Sequence, residues 1–80
     1  MDYIIGTITL FPYNYTPMGW ALCNGQILSI AQYSAVFALV GTTYGGDGQT
    51  TFGIPNMQGL EPIPGMNYFF CLEGVFPQRD

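Results

Sequence analysis

The hydrophobic and polar positions of residues 3–11 fit a β-strand, in which successive side chains point to opposite faces. One face carries Ile4, Gly6, Ile8 and Leu10, and the other carries Tyr3, Ile5, Thr7, Thr9 and Phe11. β-Branched and aromatic residues dominate this segment, as they do in strands. We therefore predict a strand that ends before Pro12, which has no backbone N–H to donate to a sheet.

A short hairpin is predicted around Asn24-Gly25, the strongest local signal for a two-residue turn, because both central residues of that turn need a positive φ. Residues 20–23 form the first predicted strand, and residues 26–28 form the return strand. A loop rich in aromatic residues, at positions 12–17, separates this hairpin from the first strand of the chain.

A helix is predicted where the period of the pattern changes. Ser29 and Gln32 fit a capping box, in which both side chains satisfy free backbone donors at a helix start. The apolar residues at helical spacing are Tyr33, Val36, Phe37 and Val40. Gly41 is suited to end the helix in a left-handed conformation. Because the opposite face is also apolar, we expect the helix to be buried on most sides.

The rest of the chain consists of loops and two further strands. Residues 42–49 are glycine-rich, residues 50–54 form a short predicted strand, and residues 59–65 form a loop with two prolines. Residues 67–72 are apolar on both faces of a predicted strand, so we expect both of its faces to be covered. The elements together predict one α+β domain over residues 1–80, a loop-rich, mainly β fold with one central helix.

Charge is scarce, and this changes the picture. Only 8% of the residues are charged, 49% are hydrophobic, and Arg79 is the sole cation. Nucleic acid and anionic lipid surfaces are therefore excluded as partners, because both are bound through basic residues. No run is long and apolar enough for a membrane span, and the N-terminus shows no signal peptide. The small core of such a chain leaves apolar surface uncovered, so we expect copies of the chain to cover it.

The sequence holds no recognisable catalytic or cofactor site. The chain has no His, its serines have no base partner, and its five carboxylates show no paired spacing, so we expect no enzymatic activity. Residues 45–48 lack the Lys of a phosphate-binding loop and offer the single carboxylate of Asp47 for calcium. A tight structural turn is the favoured interpretation, and no metal or cofactor is expected.

Two features keep more than one interpretation. Cys23 and Cys71 are either two small buried hydrophobic residues or a disulfide within or between subunits. Neither fits a catalytic thiol or, without His, a zinc site. The aromatic residues Tyr13, Tyr15 and Trp20 favour a subunit contact, with a sugar-stacking platform and ordinary packing as the alternatives.

Three ordered motifs and a C-terminal run carry a family resemblance. The motifs are WALCNG at residues 20–25, LVGTTYGGDG at residues 39–48 and TTFGIP at residues 50–55, and the run is NYFFCLEGVFP at residues 67–77. Together they resemble the phage tail collar domain family, including its bacterial microcystin-dependent-type members. The resemblance implies a non-enzymatic, homo-oligomeric fibre or tail-tip component.

The chain departs from this family in two respects. Longer relatives insert a large distal region before the last strand, where this chain has only residues 62–66, so the resemblance implies a minimal version. Receptor contact housed in that insertion, and the His metal ligands of some tail fibres, are then absent. Asn56, Gln58 and Leu60 stand after the Ile-Pro step, where relatives often carry Asp and Arg.

We therefore expect a structural subunit that self-assembles into a homopolymeric fibre or tail-like filament, extracellular or virion-associated. The alternative is a small oligomeric tail-tip module that contacts a cell-surface glycan or protein. Strands 3–11 and 67–72 are the segments expected to pair with a neighbouring copy. The expected assembly interface comprises Tyr3, Ile5, Phe11, Tyr13, Tyr15, Trp20, Tyr68, Phe70 and Leu72.

Overall fold

The computed structural model describes residues 3–77. Its elements in chain order are β1 (Ile8–Phe11), β2 (Trp20–Leu22), β3 (Ile27–Ser29), α1 (Ser34–Val40), β4 (Thr51–Gly53) and β5 (Asn67–Cys71). The strands form two antiparallel sheets, one ordered β1-β5-β2 and the other β3-β4. This confirms a small α+β fold of short strands with one helix. No helix in residues 3–77 has the length and apolar character needed to cross a membrane.

Strand β5 occupies the centre of the three-stranded sheet, although it is the last of the described strands in the sequence. It pairs with β1 in the register Thr9 to Phe69, and with β2 in the register Ala21 to Phe70. Phe69 and Phe70 point to opposite faces, yet they are only 1% and 2% exposed. The prediction of a strand covered on both faces is therefore confirmed.

The main core lies between the inner face of this sheet, the helix and the two-stranded sheet. Its buried residues are Ile5, Ala21, Cys23, Val36, Phe52, Ile54, Phe70 and Leu72. From α1, Val36 is buried, and Phe37 and Val40 pack against the core, as the helical spacing predicts. The expectation that α1 is buried on most sides is wrong, because Ala35 and Ala38 face solvent.

The predicted strand over residues 3–11 is interrupted at Gly6, where φ is +93°. Only Ile8–Phe11 join the sheet, while the residues before Gly6 pair in parallel with a C-terminal segment through Ile4 and Val75. The N–H of Ile5 donates to the Val75 oxygen at 2.9 Å, which turns the Ile5 side chain into the core. The interruption explains why the Ile5 side chain lies in the core, although alternation along an unbroken strand would place it on the same face as Tyr3 and Phe11.

The hairpin predicted at Asn24-Gly25 is wrong. Strands β2 and β3 do not pair with each other, since β2 pairs with β5 and β3 pairs with β4. Gly25 has a φ of +78°, but Asn24 does not have a positive φ, so the two-residue turn cannot form. Asn24 instead forms an isolated bridge with Asn56, which ties the two sheets together.

The capping box is also wrong, but the end of the helix is confirmed. Ser29 belongs to β3, and α1 begins at Ser34 with Tyr33 as its N-cap and no side-chain cap. At the other end, the helix ends at Gly41 as predicted, and the Gly41 N–H donates to the Phe37 oxygen at 2.8 Å. Its φ of +57° is combined with a ψ of −141°, so the expected left-handed conformation is not formed. Extended pairing of residues 27–29 with β4 therefore overrides a local helix-start signal.

Candidate functional site

The outer face of the three-stranded sheet carries large aromatic side chains. In the observed registers, Phe11 of β1, Trp20 of β2 and Phe69 of β5 share this face. Although β5 separates their strands, the rings of Phe11 and Trp20 meet edge to face, with centroids 5.2 Å apart. The buried Phe69 ring lies 5.8 Å from Phe11 and supports it.

Further aromatic residues extend this row at both ends. Tyr13 stacks on Phe11 at 5.0 Å, and Tyr15 stacks on Tyr13 at 5.2 Å. Tyr3 meets Trp20 edge to face at 5.0 Å. We call this row, Tyr3, Trp20, Phe11, Tyr13 and Tyr15, the aromatic ridge. Such offset and edge-to-face pairs stabilise one another beyond the area that they bury.

The loop that carries the outer end of the ridge is attached to the sheet. Asn67, the first residue of β5, donates from Nδ2 to the Tyr13 carbonyl oxygen at 3.0 Å. Tyr15 is nevertheless 63% exposed and Tyr3 is 44% exposed, while the three rings between them are half-buried. The ridge is therefore held in place by the fold and still presents aromatic surface to solvent.

The surroundings of the ridge are almost free of charge. Residues 3–77 contain three carboxylates, Asp47, Glu61 and Glu73, and no Lys or Arg. Glu73 lies next to Gly19, since a Cβ at Gly19 would be 3.3 Å from its Oε2 atom. The ridge therefore offers apolar contact and shape, and no cation of the described residues is available there for an ion pair.

The structure divides the predicted interface residues into two groups. Five of them, Tyr3, Phe11, Tyr13, Tyr15 and Trp20, are brought together in the ridge. Ile5, Phe70 and Leu72 are buried in the core, and the partly buried Tyr68 packs against it, so these four lie apart from the ridge. The contact between Phe11 and Trp20 across β5 was not predicted, because it depends on the strand order.

The predicted role of β5 in pairing with a neighbouring copy is also corrected by the structure. The sequence predicts that residues 67–72 pair with a neighbouring copy, but within one chain β1 and β2 already hydrogen-bond to the two edges of β5. Of the two strands expected to pair with a neighbour, only β1 lies at the edge of its sheet.

The two cysteines are buried free thiols on opposite faces of the sheet. Cys71 is opposite Trp20 on the ridge face, whereas Cys23 belongs to the main core. A disulfide within the chain is therefore excluded in this fold, and both side chains are buried, as in the first of the two interpretations. Burial raises the pKa of Cys23 to about 11. Burial also raises the pKa of Cys71, whose Sγ donates to the Glu73 oxygen at 3.2 Å.

The glycine-rich segment 45–48 is a structural turn, as predicted. Asp47 Oδ1 accepts hydrogen bonds from the N–H groups of Gln49, Thr50 and Thr51 at 2.8, 2.8 and 3.0 Å. Its Oδ2 accepts the Thr50 hydroxyl at 3.0 Å. These donors hold the pKa of Asp47 well below its usual range. Both carboxylate oxygens are thus engaged in closing the loop against β4.

Residues 3–77 enclose no pocket and assemble no group of three or more metal-binding side chains. A family model, the Phage Tail Collar Domain, matches residues 6–62, which is well over half of the chain and spans β1 to β4. Strand β5 lies beyond the matched segment. No curated protein matches the chain.

Proposed function

Because this chain belongs to the phage tail collar domain family, we propose that it is a subunit that assembles with its own copies into a homopolymeric fibre or tail-like filament. The family is a structural module of phage tails, which supports a structural, virion-associated role for the chain. An extracellular fibre outside a virion is the other setting included in the proposal.

The aromatic ridge is the observation that carries the proposal. Aromatic residues are enriched in the cores of protein interfaces, and charged residues are depleted there. The ridge has both properties, with successive ring centroids 5.0–5.2 Å apart and no cation anywhere in residues 3–77. Its exposed ends, Tyr3 and Tyr15, gain the most burial when a second surface covers the row.

A fibre needs a second, different surface to meet the ridge, because head-to-tail contacts between unlike surfaces generate open filaments. The two-stranded sheet provides apolar side chains for such a contact. Ile27 of β3 is 53% exposed, and Tyr44, which precedes the Asp47 loop, is 49% exposed. A Cβ at Gly45 would lie 3.5 Å from Ile27 Cδ1, so this loop and β3 adjoin. We propose that the ridge of one copy packs against this surface of the next.

Electron microscopy of the negatively stained protein tests the proposal, and long regular fibres are the expected result. Tyr15→Ser should raise the protein concentration at which fibres appear by about fivefold or more, because truncating an interface aromatic that becomes buried costs about 1 kcal/mol or more. Leu60→Ser is the matched control, since Leu60 is 64% exposed, lies outside the ridge and should leave fibres unchanged. Discrete small particles at every concentration would overturn the proposal.

The exposed stack of Tyr13 and Tyr15 also favours a second candidate, a small oligomeric tail-tip module that binds a cell-surface glycan or protein. Aromatic faces stack on the apolar faces of sugar rings, and Tyr15 is accessible in the single chain. This function predicts small particles that bind cells, with binding lost in Tyr15→Ser and retained in Leu60→Ser.

A further inference from the structure

The outer edge of β1 carries backbone groups that have no partner within residues 3–77. The N–H of Cys71 donates to the Thr7 oxygen at 2.9 Å, and the same register pairs Thr9 with Phe69. Residues in an antiparallel strand turn their backbone groups alternately to one side and to the other. Because Thr7 and Thr9 face β5, the N–H and C=O groups of Ile8 and Leu10 point away from the sheet.

The opposite edge of this sheet, along β2, is occupied in part by the chain itself. The N–H of Trp20 donates to the Pro17 oxygen at 3.2 Å. The Leu22 oxygen accepts the N–H of Asn24 at 2.8 Å and Nε2 of Gln26 at 2.9 Å. Within the described residues, the edge along β1 is therefore the more open of the two, because no partner is found for any of the four backbone groups of Ile8 and Leu10.

Strand β1 also lacks the features that usually protect an edge from pairing. Natural edge strands are protected by charged side chains, prolines or bulges. Within Ile8–Phe11 there is no charge, proline or bulge. The protective features lie outside these four residues, since Gly6 and Thr7 both hydrogen-bond to Cys71 in a bulge on one side and Pro12 follows on the other. Ile8 is 38% exposed, so an apolar side chain accompanies the open backbone groups.

We propose that β1 pairs in antiparallel fashion with β1 of a second copy across a two-fold axis, which joins two three-stranded sheets into one of six strands. In the proposed register, both backbone groups of Ile8 bond to Leu10 of the second copy, and both of Leu10 bond to Ile8. Thr9 then faces Thr9 across the axis. No other register of these short strands engages all the open groups.

A second copy fits this edge better than an unrelated strand does, because an antiparallel two-fold pairing is self-complementary. The same pairing places Ile8 beside Leu10 of the second copy, an apolar cross-strand pair that stabilises the sheet. The edge of β3 is a poorer template. One of its groups, the Ser29 oxygen, already accepts the N–H of Tyr33 at 3.0 Å. This dimer goes beyond the fibre and does not depend on it, because it uses the edge of β1 and not the ridge.

Sedimentation velocity in an Ile27→Lys background tests the pairing, since this substitution removes the proposed fibre contact and leaves β1 intact. The expected species has twice the 8.8 kDa mass of the chain. Adding Ile8→Lys should weaken dimerisation at least tenfold. Leu10→Pro should do the same, because the Leu10 N–H points outward and its removal leaves the pairing with β5 intact. A monomer at all concentrations in the Ile27→Lys background would overturn the pairing.

Amide hydrogen exchange supplies a second measurement that does not depend on a variant. The amides of Thr9 and Phe11 should be protected at every concentration, because they bond to β5. Protection of the Ile8 and Leu10 amides should rise with dimer concentration, and fast exchange of both in the dimer would refute the proposal. Fibres that persist in Ile8→Lys but not in Ile27→Lys support the fibre alone, whereas an Ile8-dependent dimer without fibres supports the pairing alone.

Discussion

Gly46→Ala should destabilise the fold through a close approach of two backbone segments. A Cβ at Gly46 would lie 2.6 Å from the Phe52 nitrogen and 2.5 Å from the Thr51 oxygen, and both atoms belong to β4. Real Cβ atoms do not come this near to backbone, so the loop has to move away from β4. Gly59→Ala is a matched control, because Gly59 has a φ of +88° against +90° at Gly46 but has no atom within 4 Å of the Cβ position.

The Gly59→Ala control separates the cost of a side chain at positive φ from the cost of moving the loop away from β4. A side chain at positive φ costs about 1–3 kcal/mol, and the smaller entropy of the unfolded alanine chain offsets about 0.4–1 kcal/mol of it. Both variants share this cost. In Gly46→Ala the displaced loop also loses the hydrogen bonds from the Gly53 N–H to the Gly45 oxygen and from the Gly48 N–H to the Thr51 oxygen. At about 1 kcal/mol each, these bonds predict a difference of about 2 kcal/mol between the variants.

Urea unfolding followed by the fluorescence of Trp20 measures this difference. With a denaturant dependence of about 1 kcal/mol per M, the midpoint of Gly46→Ala should lie about 2 M below that of Gly59→Ala. A domain of this size has a free energy of unfolding of about 4–12 kcal/mol. A parent stability above about 5 kcal/mol leaves both variants folded in the absence of urea. Midpoints that agree within about 0.5 M would refute the argument from backbone approach.

Two further predictions concern ionisable groups. Hydrogen bonds hold the pKa of Asp47 below its unfolded value, so this carboxylate stabilises the fold at pH values above about 4 and loses that effect as the pH falls. The urea midpoint of the parent chain should therefore fall more on acidification than the midpoint of Asp47→Ala. Equal falls of the two midpoints would contradict the argument. Burial raises the pKa of Cys23 to about 11, so less of this thiol is present as the reactive thiolate at pH 8. In a Cys71→Ala chain, Cys23 should therefore react with a disulfide reagent at pH 8 about 100-fold more slowly in the folded protein than in urea. Equal rates would show that Cys23 is accessible.

The sequence predicts best those elements whose signal is repeated along the segment. Val36, Phe37 and Val40 occur at helical spacing and contact the core as expected. Residues 68–71 are aromatic or apolar at every position, which identified a strand covered on both faces. In both cases the burial pattern is a property of the element itself, so the rest of the fold is not needed to interpret it.

The errors arise where a short local signal competes with long-range pairing. Asn24-Gly25 is a strong turn signal, but β5 provides the partner of β2, and β4 provides the partner of β3. Ser29 fits a helix cap, yet its backbone pairs with Thr51 of β4. Two or three residues stabilise a turn or a cap by about 1 kcal/mol, which tertiary packing readily exceeds.

The aromatic ridge was predicted only in part for the same reason. The sequence identified Tyr13, Tyr15 and Trp20 as a cluster, but the contact of Trp20 with Phe11 follows from the insertion of β5 between their strands. The predicted interface also included Phe70. Phe70 pairs with Ala21, and the side chains of both residues point into the core. Strand order and register are set by pairings between distant segments, and no local pattern reveals them.

The central position of β5 has a consequence for how the chain is made. Strands β1 and β2 are joined only through β5, so neither can complete its pairing until residues 67–71 are available. At about 5–20 residues per second, the ribosome takes roughly 2–9 s to synthesise the segment between β2 and β5. During that interval Phe11 and Trp20 have no sheet beneath them, and pairing over so long a sequence separation is itself slow. The time of greatest risk of premature association therefore falls during synthesis, before the last strand closes the sheet.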